Sequence, residues 1–249
     1  MLAKLDVKTR TEAAGVALAD DDGVLAAFTL QRGRRHGESM APAVSFVCER
    51  AGVRLSELDA LCVDVGPGLF TGLRVGVSTA KALGFALDIP VVEMTSLEVL
   101  ALAAAGSPWA DGAAGCVLVP VVDARRALVF SARYELTGAA LPLRRLGEDG
   151  LFDPEALAAQ IAALVEEGRR CVCIGDGARR FAELLRRRGA EVSPSPLFPD
   201  VGVLAVTGLA RATAGAGCPA EQVAARYLRP ADVRINWEQR MPTRPVAGT

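Results

Sequence analysis

The chain has 249 residues, 51% of them hydrophobic, with a mean hydropathy of +0.29 and a formal net charge of −1. A chain of this length buries roughly three-quarters of its unfolded surface, enough for one large domain or two modest ones, and its hydrophobic content excludes a disordered chain. Nothing in its overall charge steers it toward nucleic acid, and no apolar run is long enough to span a membrane.

In chain order, LAKLDV, EAAGVALADDDG and VLAAFTLQRG read as strands, with Asp20-Asp21-Asp22-Gly23 as a hairpin turn. SMAPAVSFVCERAG has helical spacing and stops at Gly52. LDALCVDVGPG is a buried strand running into a turn, and TGLRVGVSTAKALGFALD is a helix. PVVEMTS is a strand, and SLEVLALAAAG is a helix with Ser96 as its expected cap. The order is β-β-β-α-β-α-β-α over residues 1–105, a meander followed by right-handed crossovers in one mixed sheet.

GSPWADGAAG, residues 106–115, reads as a boundary. Beyond it a second lobe is expected over residues 116–222. CVLVPVVDA and LVFSARYEL form a hairpin, LPLRRLG a third strand, and DPEALAAQIAALVEEG a helix capped by Asp153 with Pro154 at its first position. RRCVCIGDG is then a strand, ARRFAELLRRRG one helix, and VGVLAVTGLARATAG a long apolar helix. Residues 223–249 are expected to form a C-terminal segment and flexible tail. Met1-Leu2-Ala3-Lys4-Leu5-Asp6 does not read as a signal peptide, and a cytoplasmic location is expected.

Histidine and cysteine narrow the chemistry. The one histidine, His36, reads as a surface loop residue and cannot make a two-histidine metallopeptidase site. The nearest approach to a serine elbow, Gly76-Val77-Ser78-Thr79-Ala80, falls inside a helix. Six cysteines form no CxxC pair. Cys171 and Cys173, two apart in a strand, share a face and read as buried thiols. No general acid, general base or metal site is assigned.

The segment VGPGLFTGLRVGVSTAKALG carries the most information. It lacks the Lys-Ser/Thr of a phosphate loop, and Thr71 stands where a dinucleotide fingerprint needs its third glycine. Gly66 and Gly68 are read as shaping a turn. Gly72, Gly76, Ala80 and Gly84 repeat every four residues and form one small-residue stripe on the helix. Such a stripe lets a second backbone approach closely, either a partner's or the chain's own sheet. Spacing leans slightly to a partner, so Gly76→Leu is expected to disrupt association while leaving the monomer folded.

GPGLFTGLRVGVSTAKALGFALDIPVVEMTSLEVLA resembles the corresponding stretch of the bacterial TsaB family of tRNA threonylcarbamoyladenosine biosynthesis proteins. The resemblance continues through Asp123-Ala124-Arg125, GDGARRF, and Tyr227-Leu228-Arg229. It implies an α/β, two-lobed fold like actin and the sugar kinases, with ribonuclease H-like mixed sheets. The implied role is a non-catalytic scaffold that supports a TsaD-type catalytic subunit, with a TsaE-type small ATPase, in placing threonylcarbamoyl on the adenosine that follows the anticodon. A homodimer is expected when the chain is alone, and tRNA is met only through the complex. No cofactor is required by this chain, with ATP and Mg2+ allowed for in the complex. In that family the subunit contact lies on the helix that here carries Gly72, Leu73, Gly76, Val77, Ala80 and Gly84.

Departures from the family pattern also count. The first strand ends Leu5-Asp6-Val7-Lys8 without the usual hydroxyls, and Ala225 replaces a proline. Asp6, Asp123, Gly175 and Gly177 are candidates for a vestigial nucleotide cleft, and they support the competing reading of a small-metabolite kinase or phosphotransferase. Trp237 in the tail is a candidate anchor weighed against a disordered tail. Arg186-Arg187-Arg188 is read as a solvated helix end rather than a tRNA contact.

Overall fold

The computed structural model describes residues 3–10, 13–31, 36–68, 70–108, 114–138 and 143–228, with the backbone alone at 3–10, 13, 31, 36, 37 and 71. The first part contains β1 (Ala3–Arg10), β2 (Ala13–Asp20), β3 (Gly23–Gln31), α1 (His36–Ala51), β4 (Leu58–Asp64), α2 (Phe70–Leu87), β5 (Val91–Met94) and α3 (Ser96–Ala105). The second contains β6 (Val117–Arg125), β7 (Leu128–Ser131), β8 (Tyr134–Leu136), β9 (Leu143–Arg145), β10 (Gly150–Phe152), α4 (Pro154–Glu166), β11 (Cys171–Ile174), α5 (Asp176–Arg180), α6 (Ala182–Arg187), β12 (Glu191–Val192) and α7 (Val201–Thr213).

The two sheets repeat one plan. The first runs β3-β2-β1-β4-β5 and the second β10-β7-β6-β11-β12, with β8 and β9 extending the second beyond the N-terminal half of β6. In each, the first three strands are antiparallel and the last two parallel to the central one. This is the α/β, two-lobed, actin-like architecture with ribonuclease H-like mixed sheets.

Strand alternation sorts side chains onto the two faces of each sheet. On β2, Ala14, Val16 and Leu18 meet α1 and α2, whereas Ala17 and Ala19 meet Val201 and Ala205 of α7. Helix α1 contributes Met40, Ala43, Val44 and Val47, the helical spacing of one buried face. On the second sheet, Val172 and Ile174 face α3 through Leu97 and Leu100, while Cys171 and Cys173 face α4 and α6. Both cysteines share a buried face, as their spacing predicts, and burial pushes the Cys171 thiol up to about 11.

Two helices pack away from the sheet that precedes them in the chain. Helix α3 follows β5 but lies against β6, with Leu97, Leu100, Ala101 and Ala104 in the core of the second sheet. Helix α7 follows β12 but covers the first sheet, where Gly208 lets it approach so closely that a Cβ there would stand 2.4 Å from Cys62 Sγ.

Several details differ from the sequence reading. LVFSARYEL is broken at Ala132-Arg133 into β7 and β8, and ARRFAELLRRRG breaks at Phe181 into α5 and α6. The short strands β10 and β12 carry too few residues to show a period. Backbone at His36 begins α1 rather than lying in a loop. Thr95, not Ser96, caps α3 by accepting from the Glu98 N–H at 3.1 Å, whereas Asp153 and Pro154 start α4 as expected. Within residues 223–228, Val223 is buried at 2% exposure and Ala225 and Leu228 pack partly against the cores, whereas Ala224, Arg226 and Tyr227 are exposed. Arg229, Trp237 and the rest of the tail lie outside the described residues.

Candidate functional site

The turn after β4 is held from several sides. Asp64, buried at 4% exposure, accepts the Ser96 hydroxyl at 2.6 and 2.8 Å and the Gly66 N–H at 2.9 Å. The Ser96 N–H returns to the Gly66 carbonyl at 2.8 Å, and the Arg226 N–H reaches the Val65 carbonyl at 2.7 Å. Gly66 has φ +102°, and a Cβ there would meet Leu73 Cδ1 at 2.9 Å and the Arg226 carbonyl at 3.0 Å. Gly66 therefore serves a tight turn against the chain's own C-terminal segment. Sequence reasoning assigned Asp64 no role, though an acid ending an apolar strand before Gly-Pro is a turn signal that could have been used.

This turn launches α2, and there the stripe is corrected. Gly72, Leu73, Gly76, Val77, Ala80 and Gly84 are buried within the chain. Val77 and Ala80 sit in one core with Leu61, Val63 and Val91, and a Cβ on Gly84 would stand 2.8 Å from Val91 Cγ2 and 3.0 Å from the Ala220 Cβ. The flat face brings the helix onto its own sheet, which is the competing reading of the same spacing. Gly76→Leu is thus expected to destabilise the monomer by about 1–3 kcal/mol through overpacking, read as a lowered urea midpoint. An unchanged midpoint would contradict this packing.

The outer face of α2 presents Arg74, Ser78, Ala82 and Phe85, the last 80% exposed. At its start the Arg74 guanidinium lies 3.9 Å over the Phe70 ring, whose centroid is 5.0 Å from that of Tyr227. Asp88, at φ 52°, ends the helix, with the Ile89 N–H closing on the Gly84 carbonyl at 3.1 Å.

Residues 217–228 form a strap along this helix. Cys218 exchanges backbone hydrogen bonds with Val91 and so covers the edge of β5. The Lys81 ammonium donates to the carbonyls of Glu221 at 2.9 Å and Val223 at 3.0 Å, and the Ala224 N–H donates to Glu93 Oε1 at 2.9 Å. The Arg226 guanidinium lies 3.7 Å from Asp149, whose carboxyl is raised by burial and drawn back down by Arg145 and Arg226. Between the strap and the end of α2 lies a cavity of about 700 Å³ lined by Phe85, Asp88, Ile89, Cys218, Pro219 and Glu221. Sequence reasoning missed Phe70, Arg74, Phe85 and the strap. Phe85 could have been found as the one bulky apolar residue opposite the small-residue stripe.

The structure brings together three of the four cleft candidates. Asp123 lies near the C-terminal end of β6 beside Gly175 and Gly177, while Asp6 lies on β1 of the other sheet, where only the backbone is described. Gly175 has φ +107°, and a Cβ there would fall 2.4 Å from the Val121 carbonyl oxygen. A Cβ on Gly177 would meet that same oxygen at 2.9 Å and the Asp123 nitrogen at 3.0 Å. Both glycines thus serve the close approach of α5 to β6. The Asp123 carboxylate takes Arg180 Nη1 at 2.9 Å and the Arg125 N–H at 2.8 Å. The hairpin beyond it turns through Arg125, Arg126 and Ala127 at φ 65, 50 and 56°, each costing roughly 1–2 kcal/mol in a residue with a side chain. Among the described residues, no three His, Cys, Asp or Glu cluster as metal ligands, and no helix is long and apolar enough to cross a membrane.

The family model for tRNA N6-adenosine threonylcarbamoyltransferase, TsaD, matches residues 24–167, more than half of the chain. The chain belongs to the TsaD family. Its likeness within the TsaD family is to the TsaB type. The tRNA threonylcarbamoyladenosine biosynthesis protein TsaB of Bacillus subtilis is 33% identical over 137 residues, covering 55% of this chain and 57% of that protein. TsaB of Escherichia coli is 34% identical over 131 residues, covering 53% and 54%. The match thus spans about half the length of these curated relatives. A solved structure described as YeaZ from Pseudomonas aeruginosa is 29% identical and covers 92% of this chain and all of that one, with a TM-score of 0.75. A second Pseudomonas aeruginosa structure, described as an uncharacterized protein with similarity to peptidase YEAZ, gives a TM-score of 0.77 at 28% identity over the same share.

Proposed function

We propose that this chain is a non-catalytic scaffold subunit in the formation of N6-threonylcarbamoyladenosine in tRNA, acting in the cytoplasm by binding a TsaD-type catalytic subunit. Its lobes are taken as residues 1–105 and 116–222, with 223–249 as the C-terminal segment. The names of the curated relatives support the process. The observation that carries the docking role is Phe85, 80% exposed on a helix whose opposite side is locked into the core. A large apolar side chain held in water on a rigid helix beside a cavity is what an interface anchor looks like before its partner arrives. This reading keeps α2 as the contact helix and moves the proposed contact from the small-residue stripe to the outer face and the strap. A homodimer through the same face, and a TsaE-type ATPase recruited to the complex, belong to this proposal.

The kinase reading is not favoured. The carboxylate it needs at Asp123 is already engaged by Arg180 and the Arg125 backbone, and the two glycines answer to helix packing. Calorimetric titration with the TsaD-type subunit should give saturable one-to-one binding. No binding at tens of micromolar to a folded partner, together with sustained ATP turnover by this chain with Mg2+, would overturn the scaffold in favour of the enzyme. Any ATP and Mg2+ used by the complex are assigned to it as a whole.

A further inference from the structure

The outer face of α2 has a polarity that docking alone does not require. Near its start the exposed Arg74 guanidinium lies over the Phe70 ring, and among the described residues no carboxylate pairs with it. At its other end Asp88 follows the last helical residue, Leu87, and lines the cavity together with Phe85 and Glu221. Arg74 and Asp88 stand about 21 Å apart along the helix axis.

The cavity end is acidic and its wall is fixed. Asp88 and Glu221 are exposed at the cavity, and Glu93 stands beside the strap with its Oε1 accepting the Ala224 N–H at 2.9 Å. The Lys81 ammonium, held on the carbonyls of Glu221 and Val223, offsets only one of these three charges. Burial pushes the neighbouring Cys218 thiol up, Glu93 and Glu221 push it further, and Lys81 pulls it back. Cys218 and Val91 satisfy each other's backbone groups, and a Cβ on Gly217 would stand 3.1 Å from the Pro90 Cβ, so this wall is closely packed and preformed. Both ends of α2 also run against the helix's own preference. Acids stabilise the start of a helix and bases its end, yet α2 has no acid in its first turn and no base in its last. Arg74 and Asp88 instead add to the backbone field, positive at the Phe70 end and negative at the Leu87 end. An exposed face that gives up this stabilisation points to a use for the field.

We infer that the segment of the TsaD-type subunit seated on this face carries a basic side chain at the cavity end and an acidic one at the Arg74 end, which fixes the direction in which it runs along α2. This rests on the scaffold reading above and adds the chemistry of the contact. A lysine or arginine suits the cavity, because its apolar stem packs along Phe85, Ile89 and Pro219 while its charged head reaches Asp88 and Glu221. Opposite charges at the two ends favour the correct orientation and repel the reversed one.

Calorimetric titration with the TsaD-type subunit across a salt series tests this. At low salt Asp88→Asn/Glu221→Gln should weaken binding about tenfold and Arg74→Gln about threefold. Both differences should fade toward about 1 M salt, where the screening length is about 3 Å. Asparagine accepts the left-handed backbone at residue 88, φ 52°, so the double variant should melt like the parent chain. If the subunits associate and the neutral variants bind like the parent, the polarity is refuted and the scaffold stands. A response at one end only overturns the two-ended contact. A loss that persists undiminished at high salt means that these side chains act by packing, and tighter binding means that they face like charges; either result overturns the inference. If the parent chain does not bind a folded partner at tens of micromolar, the scaffold fails and the inference falls with it.

Discussion

Gly175→Val is expected to cost roughly 3–5 kcal/mol of folding stability, at the severe end of single substitutions. Two effects add at this position. The backbone sits at φ +107°, which a β-branched residue adopts only with strain, and the new Cβ would fall 2.4 Å from the Val121 carbonyl oxygen. That oxygen belongs to the central strand of the second sheet, so it cannot swing aside as a side-chain tip would. A loss of this size is a large fraction of the 5–15 kcal/mol typical of a native protein. Urea unfolding followed by circular dichroism measures it directly. A loss below about 1 kcal/mol would mean that α5 can slide off β6, and the structural account of both cleft glycines would fall with it.

Phe85→Asp should weaken binding of the TsaD-type subunit by about 2–4 kcal/mol, roughly 30- to 1000-fold. It should leave the monomer's melting behaviour nearly unchanged, because the side chain is 80% exposed. The contrast with Gly76→Leu is diagnostic. One substitution acts on the partner and spares the fold, and the other damages the fold. Calorimetry with both variants separates the two sides of one helix. If Phe85→Asp binds like the parent chain, the anchor lies toward the other end of α2, where Arg74, Phe70 and Tyr227 stack, and Arg74→Glu tests that end.

The plan of the fold was legible because it is written in periods. Met40, Ala43, Val44 and Val47 mark a helix face, and Ala14, Val16 and Leu18 a strand face. The strands β10 and β12, three and two residues long, carry no period at all. The stripe at Gly72, Gly76, Ala80 and Gly84 was read correctly as a place of close approach, but spacing does not say which backbone approaches. The answer depended on β1, β4 and β5, whose position under α2 is a property of the whole chain. Arg226 and Lys81 illustrate the same limit, since each acts on a segment more than 70 residues away. Asp123 was found by motif, yet its ion pair with Arg180 required the α5–β6 contact to be seen.

The exchange of α3 and α7 between the two sheets bears on how the protein is made. During synthesis the first sheet leaves the ribosome with Ala17 and Ala19 uncovered on one face, because the helix that covers them begins only at Val201. Domains usually fold in turn as they emerge, but here the first sheet stays partly open until α7, residues Val201–Thr213, has been made. A nascent chain halted before residue 201 would expose part of an apolar sheet face to its neighbours, so closing the core of the first sheet waits on a segment made long after that sheet.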